Sequence, residues 1–354
     1  LGASRRAVAP LRSRNDPKLN RLQPGKIPID LLNSTVLQMT GAESDKVVTP
    51  PKAGLDFAAI KLNGGYLVVS ADPITGVEEG IGRYAVNISA NDVATSGNRP
   101  QFAESVVLMP SDSSAKDVRL IAKQMHIAAK GLRITIVGGH TEVTPGLRRP
   151  IVAVTTFSFV KSYVSSQDAH DGDTIMMTKT AGLEGTAAIA GRRLFGRAIP
   201  RHLLERASGF VSKISVVEEA VAAYESGYVH AMHDCTEGGV LGAVFEMSLA
   251  SGLGFVLRQG SVPVANETRL ICRELSLDSL RLIGSGSLLL SVEKGKEDGV
   301  ANALRRICKV TSVGEFKKGK RMLVGMGGRE EVVNSAPEDE LWRALGERGM
   351  KRLP

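Results

Sequence analysis

Three stretches of this chain concentrate the residue types that do chemistry. The first set is acidic: Asp56 lies in GLDFAAIKL, Asp72 follows the apolar run YLVVSA, and Asp92 stands eleven positions after Ile81 in a helical pattern. At 100° per residue that offset returns to within about 20° of the same face, so the Asp92 carboxylate projects from the stripe of Ile81, Ala85 and Ile88. A carboxylate placed there needs a cation or several donors to offset its desolvation. A metal ion would serve, and so would a neighbouring loop or Arg99; periodicity does not separate the two. Three acids near strand ends and on an adjacent helix make an oxygen-rich set suited to magnesium, which takes carboxylates, waters and substrate phosphates.

The second stretch, IVGGHTEVTPG over 136–146, reads as a buried strand running into a turn at Gly138 and Gly139. Paired glycines let backbone amides approach an anion, and His140, Thr141 and Glu142 add groups for proton transfer, hydrogen bonding or metal ligation. A plain turn is the alternative. The third stretch, HDCTEGG over 233–239, follows a strand and opens a helix, with Gly238 and Gly239 in the first turn where unpaired amides favour phosphate. Thr236 as an N-cap with Asp234 as a turn residue explains the same letters, and on the residues alone this structural account is preferred. Cys235 has no base beside it except His233, so nucleophilic catalysis is a minor reading. No Walker sequence, no GxGxxG after a strand and no nucleophile elbow occurs, so any nucleotide must bind through a less common fold.

The elements that must position these residues alternate. Strands are expected over 54–62, 62–71, 102–109, 133–137 and 151–160, and helices over 79–96 and from a capping box at Ser114 and Asp117 to Gly131. A polar stretch over 165–173 marks a change of domain. Beyond it, strands are expected from 174 and over 228–232, 255–258, 287–292 and 310–315, with helices over 184–195, 211–226 and 237–250. A last helix should open at Ser335, with Glu338 three residues on, and bury Leu341, Trp342 and Leu345. The expected divisions are a basic tail over 1–25, domains over 26–160 and 161–335, and a C-terminal helix over 336–354.

Composition agrees with that plan. A chain of 354 residues exceeds one typical domain, which predicts two domains on separate cores. Aromatics make up 4% of the residues, so the core must be aliphatic, and 38 glycines favour an α/β class over a helical bundle. The net charge of +8 comes largely from Arg5, Arg6, Arg12, Arg14, Lys18 and Arg21 in the tail and from the group over 317–321. No aromatic-interleaved basic stripe accompanies it, which argues against a nucleic-acid partner. Three cysteines without metal-ligand spacing suit a reducing cytoplasm, and no apolar run approaches the ~20 residues of a membrane span. The tail lacks the apolar run of a secretory signal and reads as a flexible extension or a transit segment.

The ordered set GLDFAAIKL, VVSADPITG, NISANDVATSGNRP, IVGGHTEVTPG and HDCTEGGVLGAVFEMS resembles the AIR synthase-related superfamily, which includes AIR synthase, HypE, thiamine-monophosphate kinase and selenophosphate synthetase. The resemblance is nearest to HypE-like proteins of archaeal type. It implies a two-domain α/β (α+β) fold, an N-terminal sheet domain that dimerises, and a C-terminal α/β domain packed on it. It also implies ATP and magnesium as cofactors. Asp56, Asp72 and Asp92 match the metal acids, and Asn91, Gly138, Gly139, His140, Thr141, Gly238 and Gly239 match the nucleotide side. His140, Glu142, Asp234 and Glu237 are the catalytic candidates. The implied activity is ATP-dependent phosphoryl transfer to an amide, carboxylate or phosphate oxygen of a small-molecule or protein-borne substrate; the alternative is a nucleotide-binding accessory protein without turnover. A homodimer should cover apolar positions such as Val106, Leu108, Ile151 and Val154. HypE carries its substrate group on a C-terminal cysteine, whereas this chain ends GMKRLP after Cys308, so action on its own tail is not expected. Relatives show Asp or Glu where His140 stands.

Overall fold

The computed structural model describes residues 22, 25–75, 77, 79–192 and 199–346. The basic tail, the end of the helix expected to reach Phe195 and the last eight residues lie almost wholly outside them. The chain opens with a short helix, α1 (Ile29–Ser34), then builds β1 (Val47–Thr49), β2 (Ala58–Leu62), β3 (Gly65–Ile74), α2 (Ile81–Ala94), β4 (Phe102–Met109), α3 (Ala115–Leu132), β5 (Thr135–Val143) and β6 (Ile151–Val160). These strands form one six-stranded sheet in the order β1-β2-β3-β6-β4-β5. Only β4 and β5 run parallel, joined through α3; the other neighbours are antiparallel. The capping box at Ser114 and Asp117 opens α3 as expected, each side chain bonding the other's backbone amide.

The second sheet belongs to the rest of the chain. Its elements are β7 (Thr174–Thr178), α4 (Leu183–Gly191), α5 (Arg201–Ser208), α6 (Val217–Glu225), β8 (Val229–Asp234), α7 (Gly239–Ser251), β9 (Gly254–Arg258), α8 (Asn266–Leu275), β10 (Leu288–Val292), α9 (Glu297–Leu304), β11 (Val310–Lys317), β12 (Arg321–Val324), β13 (Glu330–Val332) and α10 (Glu340–Leu345). The strands order as β13-β12-β9-β11-β7-β10-β8, with β12 and β9 the parallel pair. The fold is therefore a mixed α/β one with two sheet-containing domains, and its sheets are mainly antiparallel.

Every residue of α2 except Arg83 is buried, because the helix lies between the first sheet and the elements of the second domain. The largest apolar core runs through this helix: it joins Ile74, Val107 and Val154 of the first domain to Met176, Val217 and Leu290 of the second. Separate cores were expected; a shared one is found. Val154 is sealed into it at 1% exposure and does not wait for a partner, whereas Val106 stays 41% exposed.

Two expected helices are corrected. The one expected over 211–226 splits into a 3-10 turn, Gly209–Lys213, and α6, because Asn91 and Lys179 seize the backbone between them: Asn91 donates to the Ile214 carbonyl and accepts from the Val216 amide, and the Lys179 ammonium donates to the Lys213 and Ser215 carbonyls. The last helix opens at Asp339, whose carboxylate accepts the Leu341 amide at 2.7 Å, and Ser335 plays no part in the cap. Its Leu341 is buried, as expected, while Trp342 and Leu345 are half-buried.

Candidate functional site

Four aspartates from both domains converge. Asp72 lies in β3, two residues before its end, close to Asp92 on α2, and the Ser70 hydroxyl donates to Asp92 Oδ2 at 2.7 Å. Asp56 was expected inside a strand, but the ladder begins only at Ala58. The preceding loop is drawn against α7, so closely that a Cβ on Gly54 would lie 2.2 Å from the Glu246 carbonyl oxygen, and Gly54 takes φ +88° there. Only glycine permits that approach. It sets Asp56 Oδ1 3.0 Å from His233 Nε2 at the end of β8, next to Asp234.

His233 carries a charge by its geometry. Nδ1 donates to the Asp234 carbonyl at 2.7 Å, and Nε2 faces both Asp56 and, at 3.3 Å, Glu246 Oε2. With acceptors on both nitrogens the ring is an imidazolium; burial opposes this, but Asp56 and Glu246 outweigh it and hold the pKa well above the usual histidine value. Lys26 is the second cation. Its ammonium reaches Glu246 at 3.1 Å, Thr236 Oγ1 at 3.4 Å and Glu237 at 3.6 Å. Burial works against it, yet Glu246 and Glu237 keep its pKa above the ordinary lysine range. Burial likewise opposes ionisation of Glu246, and Lys26 and His233 overcome it, bringing that carboxyl down to about 2.

These two cations do not balance the acids. Burial first, and then mutual repulsion, raise the pKa of Asp92 and Asp234 well above the usual carboxylate range. Asp72 also rises, chiefly through burial. Asp56 Oδ2, Asp72 Oδ2 and both carboxylate oxygens of Asp234 are buried without a hydrogen-bond partner. Buried carboxylate oxygens left unpaired are expensive, and a hard divalent cation is the partner that suits oxygen donors of this number and charge. The residues present fit magnesium.

The other expected positions fare differently. Gly138, Gly139, His140, Thr141 and Glu142 form no turn: they continue β5 as an edge strand, pairing with β4 from Gly138 opposite Glu104 to Glu142 opposite Leu108. A Cβ on Gly139 would sit 2.1 Å from the Ser105 carbonyl oxygen, so the ladder itself requires glycine there. His140 and Glu142, two residues apart on one face of the strand, are exposed and bond each other at 3.0 Å. Gly238 and Gly239 do not leave open amides. The Gly238 amide donates to Asp339 at 2.7 Å and the Gly239 amide to the Thr236 carbonyl at 3.0 Å, while a Cβ on Gly239 would meet the Leu282 carbonyl at 2.6 Å. Asn91 bonds the 214–216 backbone through both its amide nitrogen and its amide oxygen. Cys235 is completely buried and its thiol pKa is pushed up by that burial and by Asp234, so it is no nucleophile. Glu237 stands at the rim beside Lys26.

Lys26 and Glu246 were not foreseen, and His233 only as the base beside Cys235 and a reserve proton-transfer group. Glu246 did carry a signal, as the one acid in the apolar run VLGAVFEMSLA. Lys26 carried none.

Residues 54–160 match the AIR synthase related protein N-terminal domain, and residues 170–327 match its C-terminal domain. A putative hydrogenase expression/formation protein of Methanocaldococcus jannaschii is 25% identical over 294 residues, covering 79% of this chain and 84% of that one. Carbamoyl dehydratase HypE of Escherichia coli is 25% identical over 262 residues, 72% of this chain and 76% of the relative. Among solved structures, a chain of a HypE–HypF complex superposes with a TM-score of 0.73 at 20% identity, covering 86% of this chain and 99% of that chain. HypE in complex with ATP superposes with a TM-score of 0.65 at 21% identity, covering 88% and 95%.

Proposed function

The chain belongs to the AIR synthase related family, and from that membership we propose that it is an ATP-dependent enzyme that transfers a phosphoryl group to an oxygen of its substrate. An amide oxygen of a carbamoyl type is the favoured acceptor, since relatives that align with 72% and 71% of this chain are named carbamoyl dehydratases; a carboxylate or phosphate oxygen fits the same chemistry. The observation that carries the reading is the set of orphaned oxygens on Asp56, Asp72 and Asp234 beside Asp92. Asp56, Asp72, Asp92 and Asp234 would hold magnesium, which supplies charge neutralisation for the triphosphate. Domains over 26–160 and 161–335 then meet at the cluster, and the similarity to HypE in complex with ATP supports nucleotide binding there.

The chain's own residues divide the remaining work. His233, fixed on Asp56 and Glu246, is a positive charge that cannot move away, and it keeps Asp56 oriented. Lys26, half-exposed on a segment that is not part of either sheet, can leave Glu246 and Glu237 for a phosphate oxygen as charge develops. Glu237, at the rim, is placed to take a proton from an amide nitrogen as its oxygen is phosphorylated. ATP hydrolysis measured with and without carbamoyl, carboxylate and phosphate-ester substrates tests the reading; nucleotide binding with no hydrolysis under any of these conditions would leave the accessory, non-turnover alternative. One observation favours that alternative: the chain's own Asp339 occupies the amide of Gly238, where a phosphate was expected.

The same reading includes a homodimer. Among the described residues no strand pairs with the outer side of β5, and Ile136, Val137 and Val143 on it, with Val106 and Phe159 nearby in the sheet, are exposed apolar residues. A second copy covering this edge would bring His140, Thr141 and Glu142 into the assembly, which is how these positions would join a site they do not touch within one chain. No helix among the described residues is long and apolar enough to cross a membrane. Three free cysteines agree with a reducing compartment such as the cytoplasm.

A further inference from the structure

A second cluster of ligating side chains lies outside the acid site, where the connection between the domains enters the second sheet. The turn His170–Asp173 folds back on itself, with the His170 amide donating to Asp173 Oδ2 at 3.0 Å and the Asp173 amide to the His170 carbonyl at 3.2 Å. Asp173 is 4% exposed, and Ser291 on β10 donates its hydroxyl to the same Oδ2 at 2.6 Å. The carboxylate is thus locked in place from two sides.

His230 reaches it through an irregularity in the sheet. The pairing of β10 with β8 steps from Ser291 opposite Ala231 to Val292 opposite Val229, so His230 is the extra residue of a bulge. Bulges re-aim side chains, and this one brings Nδ1 of His230 to 2.9 Å from Asp173 Oδ2 and 3.1 Å from Oδ1. The His170 ring packs against the His230 ring with centroids 4.1 Å apart. One donor atom from each of the three residues lies within 4.8 Å of the others.

We propose that His170, Asp173 and His230 form a binding site for a divalent transition-metal ion of the zinc class. Two imidazoles and a carboxylate are the donor set that zinc, cobalt and nickel take, whereas magnesium and calcium prefer oxygen alone. Bonds of about 2.0–2.1 Å place tetrahedral donors about 3.3 Å apart, so His230 and Asp173, now 2.9 Å apart, must open slightly and the His170 ring must turn in. His170 is exposed and can rotate to do so; His230 exchanges its direct bond to Asp173 for the shared ion. Ser291 and the His170 amide hold the carboxylate from behind, as second partners of metal ligands commonly do. The ion would fasten the interdomain connection to β8, the strand that carries His233 and Asp234 at its other end.

Zinc titration of metal-stripped protein in a large excess of magnesium tests this, with cobalt as the visible-absorption probe of an N/O tetrahedral site. The parent should bind one zinc per chain and gain thermal stability from it. His170→Ala, an exposed change that leaves the fold alone, and His230→Gln should each lose the binding and the stabilisation, and Ser291→Ala should weaken binding by about tenfold. Asp234→Asn should bind zinc as the parent does. Full affinity in either histidine variant overturns the proposal, as does a parent that binds no zinc, or binding lost in Asp234→Asn and kept in His170→Ala.

Discussion

Lys26 Nζ lies 3.1 Å from Glu246 Oε1, a contact between residues 220 positions apart in the chain. It joins a segment ahead of the first sheet to a helix of the second domain, and it holds a movable positive charge over the buried aspartates. Gly25 makes room for it: at φ +114° its missing Cβ would lie 3.0 Å from the Trp342 indole nitrogen, so α10 presses the segment down.

Replacing Lys26 by Met removes that charge and keeps the length. Turnover should fall roughly a hundredfold, the size of effect expected for one donor to a transferred group. Magnesium affinity should hold or rise, because the cluster becomes more negative. Steady-state kinetics and a magnesium titration on the same variant measure both, and unchanged turnover would remove Lys26 from the reaction.

Asp92→Asn tests the cation reading through two opposed effects. The Asp92 carboxyl is buried among Asp72, Asp234 and Asp56, so an amide in its place removes the cost of burying an ionisable acid and its repulsion, and should raise the melting temperature of the metal-free protein by a few degrees. The same change should cost magnesium-dependent nucleotide binding more than tenfold. A variant that melts lower and binds nucleotide as the parent does would contradict the assignment.

The pH dependence follows from the direction of the shifts. Asp72, Asp92 and Asp234 are raised, and burial lifts Glu184 to about 8 and Asp339 to about 6. A carboxyl whose pKa is higher folded than unfolded favours the fold fully below its unfolded value and loses that contribution as pH rises through its folded one. Metal-free protein should therefore melt at progressively lower temperature from about pH 5 to pH 8. Magnesium should flatten the fall, and Glu184→Gln should remove part of it near pH 8. Glu246, held near 2, acts oppositely, and its contribution disappears only in strong acid. Melting curves in chelator across this range decide the matter; a parent and Glu184→Gln variant with parallel slopes would show that Glu184 does not titrate there.

The dimer rests on the edge of β5. Val137 is 51% exposed, so Val137→Lys should leave a single chain as stable as before, within about 0.5 kcal/mol. It should nevertheless convert a dimer to monomer in light scattering at micromolar concentration, because a buried ammonium in that edge would lack a partner. A parent that is already monomeric would refute the interface.

Much of this was legible locally. The strands Phe102–Met109 and Ile151–Val160 and the cap at Ser114 follow from apolar runs and from a three-residue spacing; Asp92 stands out by its place on the apolar stripe of a helical pattern and Asp72 by following an apolar run, whereas Asp234 reads on its residues alone as a turn residue. Those signals depend on neighbours within one turn or strand, which the sequence displays directly. What it does not display is the partner a backbone group finds at long range. Gly138 and Gly139 read as a turn until β4 supplies a ladder for them, and the amide of Gly238 reads as open until Asp339, 101 residues away, accepts from it. The 211–226 helix breaks because Asn91, more than a hundred residues earlier, and Lys179 take backbone hydrogen bonds that would have continued it. Lys26 belongs with these: nothing in its local sequence marks it, and its place among the acids exists only because α7 and the N-terminal segment meet, a choice made by packing and charge across the whole chain.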